Sequence, residues 1–198
     1  MKIAVFGTGV VGRTIAAKLE SVGHEVMIGT RDIEQTLART DSDYMGNPPF
    51  HVWIEQNPTI KLGTFEESAA FGALLFNCTS GAGTIDALKL AGENNLNGKA
   101  LIDIANPLDF SQGMPPSLSV CNTDSLGEQI QHAFPQVRVV KTLNTMNAML
   151  MVNPGLLSEE SAVFVSGNDA EAKAQVIDLL KRDFGWQMVI DLGDITTA

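Results

Sequence analysis

An apolar run at the start of the chain leads directly into three closely spaced glycines. Residues 2–6 read Lys-Ile-Ala-Val-Phe, and Gly7, Gly9 and Gly12 follow in the pattern G-x-G-x-x-G. Apolar residues then recur every three or four positions, as on one face of a helix, at Val11, Ile15, Leu19 and Val22. This order predicts a buried strand, a tight turn and a helix, which together open many α/β folds.

Each glycine of this turn has a separate expected role. Gly7 makes the tight turn, Gly9 leaves room for a pyrophosphate against bare backbone, and Gly12 lets the helix pack closely on the strand. The helix N-terminus offers unpaired N–H groups and the positive end of its dipole, so phosphates can be held without a lysine. The turn therefore predicts a dinucleotide site.

The end of the second apolar run indicates which dinucleotide is bound. Enzymes that use NAD usually carry an acidic residue there, about 20 residues past the glycines, for the ribose 2′-hydroxyl. This chain has Thr30 and Arg31 instead, and a planar guanidinium suits a 2′-phosphate. We therefore expect NADP(H), with Asp32 capping the following helix. The alternative is an ordinary surface arginine that pairs with Asp32.

Short apolar runs alternate with helix-like segments along the rest of the chain. This alternation predicts a Rossmann-type α/β fold, with a doubly wound, mainly parallel sheet and helices on both faces. A length of 198 residues favours a single domain, 1–198. The expected strands are residues 2–6, 25–29, 73–78, 100–104, 138–142, 162–165 and 187–191.

A second apolar stripe lies late in the chain, between Asp169 and Gly185, at Ala172, Val176, Leu180 and Phe184. It predicts a helix capped by Asp169. Two stretches, 41–58 and 107–121, break the alternation and are expected to be long loops. The first stretch holds three aromatic residues, Tyr44, Phe50 and Trp53. They either anchor the loop as a small apolar cluster, which is the favoured interpretation, or close over a bound ring.

The charge balance disfavours several classes of partner. Thirteen Lys and Arg against twenty-three Asp and Glu leave a formal net charge of −10, which disfavours nucleic acid and anionic membrane surfaces. The apolar runs are shorter than the roughly 20 residues that cross a bilayer, and we expect no leader before the first strand. Cys78 and Cys121 lack the spacing of a metal or redox motif, so we expect a cytoplasmic protein without a metal site.

Two more strand ends are expected at the edge of the sheet where such folds bind ligands. One carries residues 79–83, Thr-Ser-Gly-Ala-Gly, whose small side chains let a ribose or a flat ring approach the backbone. The other carries Ala105, Asn106 and Pro107. Ser80 lacks the flanking glycines of a hydrolase nucleophile elbow, so a turn-forming hydroxyl is the favoured interpretation.

Five segments together resemble the coenzyme F-420-dependent NADP reductase family. They are residues 7–12, 28–31 (Ile-Gly-Thr-Arg), 79–83, 104–107 (Ile-Ala-Asn-Pro) and 139–146 (Val-Val-Lys-Thr-Leu-Asn-Thr-Met). The family includes bacterial dinucleotide-binding oxidoreductases, and its fold recurs in the cytoplasmic domain of the STEAP metalloreductases. The similarity spans nearly the whole chain, and Gly-Thr-Arg together with V-V-K-x-x-N-T is its most selective part.

This resemblance implies hydride transfer between NADP(H) and a flavin-like ring, namely coenzyme F-420, FMN or FAD. It also implies residue roles. The pyrophosphate turn is lined by Thr8, Val10 and Val11, and the 2′-phosphate is bound by Thr30 and Arg31. The ribose and nicotinamide are approached by Thr79, Ser80, Ala105, Asn106 and Pro107. The second ring lies near Asn144 and Thr145. Arg13 either assists phosphate binding or occupies a solvated helix position.

Chemistry between two cofactor rings needs mainly their alignment and the exclusion of water, so we expect no catalytic acid or base. His24 and His132 are expected to be structural or solvated, and the role of His51 stays open. Two other functions remain. One is a reductase of a small ketone or imine, which needs a proton donor and usually a helical substrate domain. The other is a sensor that binds NADPH without turnover.

The chain ends at Ala198, where members of the resembling family generally continue through a further apolar helix. We therefore expect part of the second-substrate wall, and of a homodimer contact, to be absent, while NADP(H) binding should survive. The expected partner is a small-molecule redox cofactor, and a homodimer is compatible with the pattern.

Overall fold

A computed structural model describes residues 1–42 and 46–198, so Tyr44 lies outside the described residues. Its strands are β1 (Lys2–Phe6), β2 (Glu25–Thr30), β3 (Lys61–Thr64), β4 (Leu74–Asn77), β5 (Ala100–Asp103), β6 (Leu108–Asp109), β7 (Ser117–Leu118), β8 (Arg138–Thr142), β9 (Ala162–Ser166) and β10 (Met188–Gly193). Eight of them form one sheet in the order β3-β2-β1-β4-β5-β8-β9-β10, and β6 pairs with β7.

The strands from β3 to β8 in this order all run parallel. β9 runs antiparallel to β8, and the edge strand β10 runs parallel to β9. The expected doubly wound, mainly parallel α/β fold is therefore confirmed, with a reversed pair of strands at one edge. β1 lies between β2 and β4, where the chain order of the strands reverses, and ligands of such sheets bind at this switch point.

The helices cover both faces of the sheet. They are α1 (Val10–Ser21), α2 (Ile33–Leu37), α3 (Phe50–Gln56), α4 (Phe65–Phe71), α5 (Thr84–Ala91), α6 (Glu93–Leu96), α7 (Leu126–Ala133), α8 (Ala148–Val152) and α9 (Ala170–Leu179). Successive side chains of β1 point alternately into two apolar cores, one on each face of the sheet. Ile3 and Val5 pack with α1, α8 and α9, whereas Ala4 and Phe6 pack with α4, α5 and α7. This alternation follows from the two-residue period of a strand.

The sequence prediction missed β3 and found the last strand with its ends one and two residues too early. β3 has four residues, with Gly63 packed closely on Met27 and Glu67, and so offers little apolar pattern. It leads straight into α4 through a capping box, in which the Thr64 hydroxyl accepts from the Glu67 N–H and the Glu67 carboxylate accepts from the Thr64 N–H. The last strand occupies 188–193 instead of 187–191.

Both predicted loops contain short regular elements. The stretch 41–58 contains α3, in which Phe50 is buried and Trp53 and Ile54 pack against the same core. The rings of Phe50 and Trp53 lie 5.7 Å apart, so these two residues anchor the segment as the favoured interpretation expected. The stretch 107–121 contains the small antiparallel pair β6 and β7.

The late helix α9 begins where it was predicted, with the Asp169 carboxylate accepting from the Ala172 N–H at 2.7 Å. A π-helical turn, residues 180–184, follows before Gly185 ends the helix at a φ of 87°. The apolar stripe repeats every four residues, more than the 3.6 of an α-helix. The wider π-turn keeps Phe184, which is 2% exposed, in the core.

Candidate cofactor cleft

The glycine turn at the end of β1 is closed by backbone on two sides and open on the third. A Cβ at Gly7, whose φ is +116°, would lie 2.6 Å from the Cys78 carbonyl oxygen, and one at Gly12 would lie 2.1 Å from the Gly7 carbonyl oxygen. A Cβ at Gly9 would meet no atom within 4 Å. No side chain caps the N-terminus of α1 at Gly9, so its N–H groups are free to face an anion.

A first cavity of about 340 Å³ extends from this turn to the end of β2. Its lining includes the predicted site residues Gly7, Thr8, Gly9, Thr30, Arg31, Thr79 and Ser80. The Asp32 carboxylate lies at its rim, where it caps α2 by accepting from the Gln35 N–H at 2.9 Å. The negative charge of Asp32 is thereby engaged by the helix, as the sequence predicted.

Two arginines line the outer part of the first cavity, and the sequence prediction named only one of them. Arg31 and Arg39 are both exposed, and the Arg39 carbonyl oxygen lies 3.1 Å from Nδ1 of His51 on α3. Thr30, by contrast, is buried, and its hydroxyl lies 2.7 Å from that of Thr36. The exposed cationic groups at this end are therefore the two guanidiniums, while Thr30 mainly ties β2 to α2.

A second cavity of about 800 Å³ lies on the other side of the turn. It shares Cys78, Thr79 and Ser80 with the first, so the two cavities form one cleft over the ends of β1 and β4. Other predicted residues in its lining are Val10, Val11, Ala105, Asn106 and Asn144. Its remaining wall is largely apolar and includes Phe110, Met146, Met149, Met151 and Leu156.

The helix α8 forms one wall of the second cavity and is held from both ends. The Asn147 carboxamide oxygen accepts from the Leu150 N–H at 3.1 Å at its start. The buried indole N–H of Trp186 donates to the Met151 carbonyl oxygen at 2.9 Å near its end. These two side chains thus supply hydrogen bonds that the terminal backbone groups of such a short helix would otherwise lack.

A buried polar network joins the strand ends beneath the cleft. The Lys141 ammonium donates to the Asp103 carboxylate at 2.8 Å and also to the Ala105 carbonyl oxygen. Asp103 accepts in turn from the Asn77 amide at 2.7 Å, and the Thr79 hydroxyl donates to the Asn77 carbonyl oxygen at 2.7 Å. The network therefore fixes the loops after β4 and β5, which both face the second cavity.

Asn106 and Asn144 close this arrangement across the end of the sheet. The Asn106 amide donates to the Asn144 carbonyl oxygen at 2.8 Å, and the Asn144 amide donates to Asn106 Oδ1 at 3.2 Å. Leu143, which is buried, has a φ of 62°, a value that costs a branched residue energy and clusters at functional sites. The exposed Thr145 is not among the residues that line the second cavity, and the buried Pro107 lines a neighbouring cavity beside Lys141.

Among the described residues that line the second cavity, Cys78 has the one titratable side chain. Burial raises the pKa of its thiol, and the nearby Asp103 carboxylate raises it further. The thiol therefore stays protonated at neutral pH and is a poor nucleophile or metal ligand.

The remaining sequence candidates lie elsewhere. His24 is nearly buried, with Nε2 3.0 Å from the Asp183 carboxylate, while His132 is exposed. Arg13 contacts the carbonyl oxygens of Thr8 and Pro48.

Within residues 1–42 and 46–198, no group of three or more His, Cys, Asp or Glu side chains is arranged to hold a metal ion. In the same described portion, no helix has the length and apolar character to cross a membrane.

Residues 2–107 match the family described as "NADP oxidoreductase coenzyme F420-dependent". A crystal structure of a candidate F420-dependent NADP reductase from Arthrobacter sp. FB24 is 60% identical, with a TM-score of 0.93, and the match covers 100% of this chain and 86% of that one. The chain belongs to this family. It is thus assigned to the NADP-dependent oxidoreductases.

Two more distant proteins are also similar to this chain. Metalloreductase STEAP3 of Rattus norvegicus is 24% identical over 198 residues, which are 100% of this chain and 35% of the relative, so the chain spans about a third of its length. A reductive aminase from Aspergillus terreus, in complex with NADPH and ethyl-5-oxohexanoate, is 17% identical with a TM-score of 0.65, over 98% of this chain and 55% of that one. This second likeness shows the fold alone.

Proposed function

We propose that the cleft binds NADP(H) and aligns it with a flavin-type ring, coenzyme F-420 or a related flavin such as FMN or FAD, held in the second cavity. When bound, the two rings would supply the redox chemistry, a hydride transfer between NADP(H) and the acceptor ring with a proton exchanged with water, and the protein would hold and align them. The observation that carries the proposal is a bare backbone cradle at Gly9 in the first cavity, joined through Cys78, Thr79 and Ser80 to an apolar second cavity whose described lining holds no catalytic acid or base.

The first cavity fits the adenosine half of NADP(H). Gly9 leaves open space beside the N-terminus of α1, and this is where a pyrophosphate gains hydrogen bonds from backbone N–H groups. Arg31 and Arg39 lie at the far end of the cavity and would bind the 2′-phosphate through charge-assisted hydrogen bonds. The chain thus holds an anionic cofactor locally although its net charge is −10.

The second cavity fits two flat rings in contact. Its volume of about 800 Å³ is within the roughly 300–1,000 Å³ of small-molecule sites. The loops at Thr79–Ser80 and Ala105–Asn106 would approach the ribose and nicotinamide, and the methionine side chains of the opposite wall would pack on the second ring. These residues orient the rings and exclude water, which is what a transfer between two rings requires of a protein.

The lining also bears on the ketone or imine alternative. Reduction of a carbonyl or imine needs a proton at the oxygen or nitrogen as the hydride arrives. The one titratable group in the described lining is the Cys78 thiol, whose pKa is raised by burial, and it is a weak donor for this task. A ring acceptor that takes its proton from water does not meet this difficulty.

The test is to mix the protein with NADPH and one acceptor, coenzyme F-420, FMN or FAD, without oxygen. We expect NADPH absorbance and the visible absorbance of at least one acceptor to fall together, at a rate proportional to protein concentration. The matched control is Gly9→Ala, whose methyl group fills the cradle without touching protein atoms. Failure of all three acceptors, with NADPH bound, would favour the sensor, and NADPH consumption with ketones or imines alone would favour the small-substrate reductase.

A further inference from the structure

Arg13 lies in the first turns of α1 and bridges two segments of backbone. Its Nε donates to the Thr8 carbonyl oxygen at 2.8 Å, and its Nη1 donates to the Pro48 carbonyl oxygen at 2.6 Å. Its guanidinium carbon also lies 5.4 Å from the centre of the Phe50 ring. The guanidinium therefore ties the glycine turn to the segment that precedes α3.

The contact with Thr8 fixes the orientation of one peptide group of the turn. In a trans peptide the carbonyl and the following N–H point in opposite directions. Because the Thr8 carbonyl points toward Arg13, the Gly9 N–H must point away from it. Thr8 and Gly9 line the first cavity, whereas Arg13 lines a different groove beside α1. The Gly9 N–H is thus directed away from that groove, toward the side where the proposed pyrophosphate site lies.

We propose that Arg13 is a positioning residue for the pyrophosphate turn, acting through the Thr8–Gly9 peptide and not as a ligand of the phosphate. This inference rests on the proposed NADP(H) site. The planar guanidinium reaches two carbonyl oxygens at once, since Nε and Nη1 are separate donors in a fixed plane. A lysine keeps the charge, but its single nitrogen would have to reach both carbonyl oxygens from one point, whereas the guanidinium reaches them through two separate nitrogens of a planar group. We therefore expect a lysine not to hold the two carbonyls in this geometry.

The experiment compares Arg13→Lys and Arg13→Gln with the wild-type full chain, using two ligands. NADPH, measured by calorimetry, needs the turn, whereas adenosine 2′-phosphate, measured by NMR titration, needs only the arginine end of the first cavity. We expect both variants to raise the Kd for NADPH about tenfold, the effect of losing one hydrogen bond to a charged group. We expect the Kd for adenosine 2′-phosphate to stay within about twofold, which also shows that the variants are folded.

Arg31→Gln is the matched control, and we expect it to weaken both ligands. A wild-type Kd for NADPH in Arg13→Lys would overturn the inference, because charge alone would then suffice. Equal weakening of both ligands by the Arg13 variants would also overturn it, since Arg13 would then act on the whole domain. If the wild-type protein binds adenosine 2′-phosphate but not NADPH, both this inference and the proposed function fail. If only the Arg13 result fails, the proposed function stands.

Discussion

The two cavities of the cleft are built in different ways. The first is lined mainly by the glycine turn and by residues 29–39 at the end of β2 and around α2, with further residues from α4, the end of β4 and α5. The second is assembled from the ends of β4 and β5, the segment after β8, the helix α8 and Phe110 near β6. Its shape depends on side chains that meet across long stretches of chain, such as Asn106 and Asn144.

This difference separates two kinds of specificity. A site made of backbone near one turn recognises a chemical group common to many cofactors, and its sequence signature is short. A site made of distant side chains selects the partner molecule, and its signature is spread over the chain. Substitutions in the second cavity, the second half of the cleft, should therefore leave binding in the first cavity, the first half, unchanged. The affinity for NADPH and the affinity for the flavin-type acceptor should then change separately.

The largest expected effect comes from breaking the buried network under the second cavity. Lys141→Met leaves the carboxylate of Asp103, which is 0% exposed, without its cation. Removing one partner of a buried pair costs about 3–5 kcal/mol of unfolding free energy, measurable by urea denaturation. Asp103→Asn combined with Lys141→Met should recover a large part of this loss.

An exposed ion pair provides the control for this prediction. Lys89 lies 3.9 Å from Asp86, with both side chains exposed, and Lys89→Met should change the unfolding free energy by less than about 1 kcal/mol. If Lys141→Met changes the unfolding free energy as little as Lys89→Met does, the buried network does not stabilise the strand ends around the second cavity.

The next effect separates folding from binding within the first half. Gly12→Ala would place a methyl group 2.1 Å from the Gly7 carbonyl oxygen, so we expect a loss of about 1–3 kcal/mol of stability. Gly9→Ala meets no protein atom within 4 Å, so its thermal midpoint should stay unchanged while NADPH binding weakens at least about tenfold. Stable Gly9→Ala protein with wild-type affinity would place the pyrophosphate elsewhere.

A smaller effect is expected at the arginine end of the first cavity. Arg31→Gln would remove the proposed charge-assisted hydrogen bonds to the 2′-phosphate, so the Kd for NADPH should rise about tenfold. The Kd for NADH should hardly change, since it lacks this phosphate. Calorimetric titration of both cofactors checks the prediction, and Arg39→Gln should show the same pattern more weakly. An equal rise in the Kd for NADH would show that Arg31 does not bind the 2′-phosphate.

The wall of the second cavity should give a milder response. Met149 is 59% exposed and lines the cavity, so Met149→Ala should leave stability unchanged. We expect the KM for the flavin-type acceptor to rise severalfold, because packing on the ring is lost, with the Kd for NADPH unchanged. Exposed Leu90, on α5 and outside this lining, supplies the control Leu90→Ala. A change in NADPH affinity instead would mean that the two halves are coupled.

The smallest expected effect is on the pH dependence of stability at Asp183, which lies outside both cavities. The Arg182 guanidinium and then the His24 ring lower the pKa of Asp183 below its usual value. A lowered folded pKa stabilises the protein above the unfolded value of about 4, and this stability is lost as the pH falls through the folded pKa. The thermal midpoint of the wild type should therefore exceed that of Asp183→Asn near pH 7 and approach it below about pH 4. A constant difference would rule out this charge interaction.

Much of the fold and half of the cleft follow from local sequence. The glycine turn, Arg31 and the cap at Asp169 are read from a few adjacent residues, because their geometry is set by neighbouring backbone. Arg39 escaped prediction because it follows α2 in a stretch without periodicity, and only its position in the folded chain brings it near Arg31. A second arginine eight residues after the first is the one available signal.

The second half could not be derived from pattern alone. Lys141 and Asp103 are 38 residues apart, and the family resemblance marked the lysine segment without indicating its partner. The contact of Trp186 with Met151 spans 35 residues and leaves no periodic signal. Thr145 follows Asn144 in sequence but is exposed and is not among the residues that line the second cavity, so its role near the second ring stays a prediction.

The central claim is that bare backbone at Gly9 and the guanidinium of Arg31 together select the phosphorylated dinucleotide. Calorimetric titration of the unaltered protein with NADPH and NADH tests it most directly. The account predicts that NADPH binds at least about tenfold more tightly, as charge-assisted contacts to one extra phosphate imply. Equal affinities, or tighter binding of NADH, would contradict it.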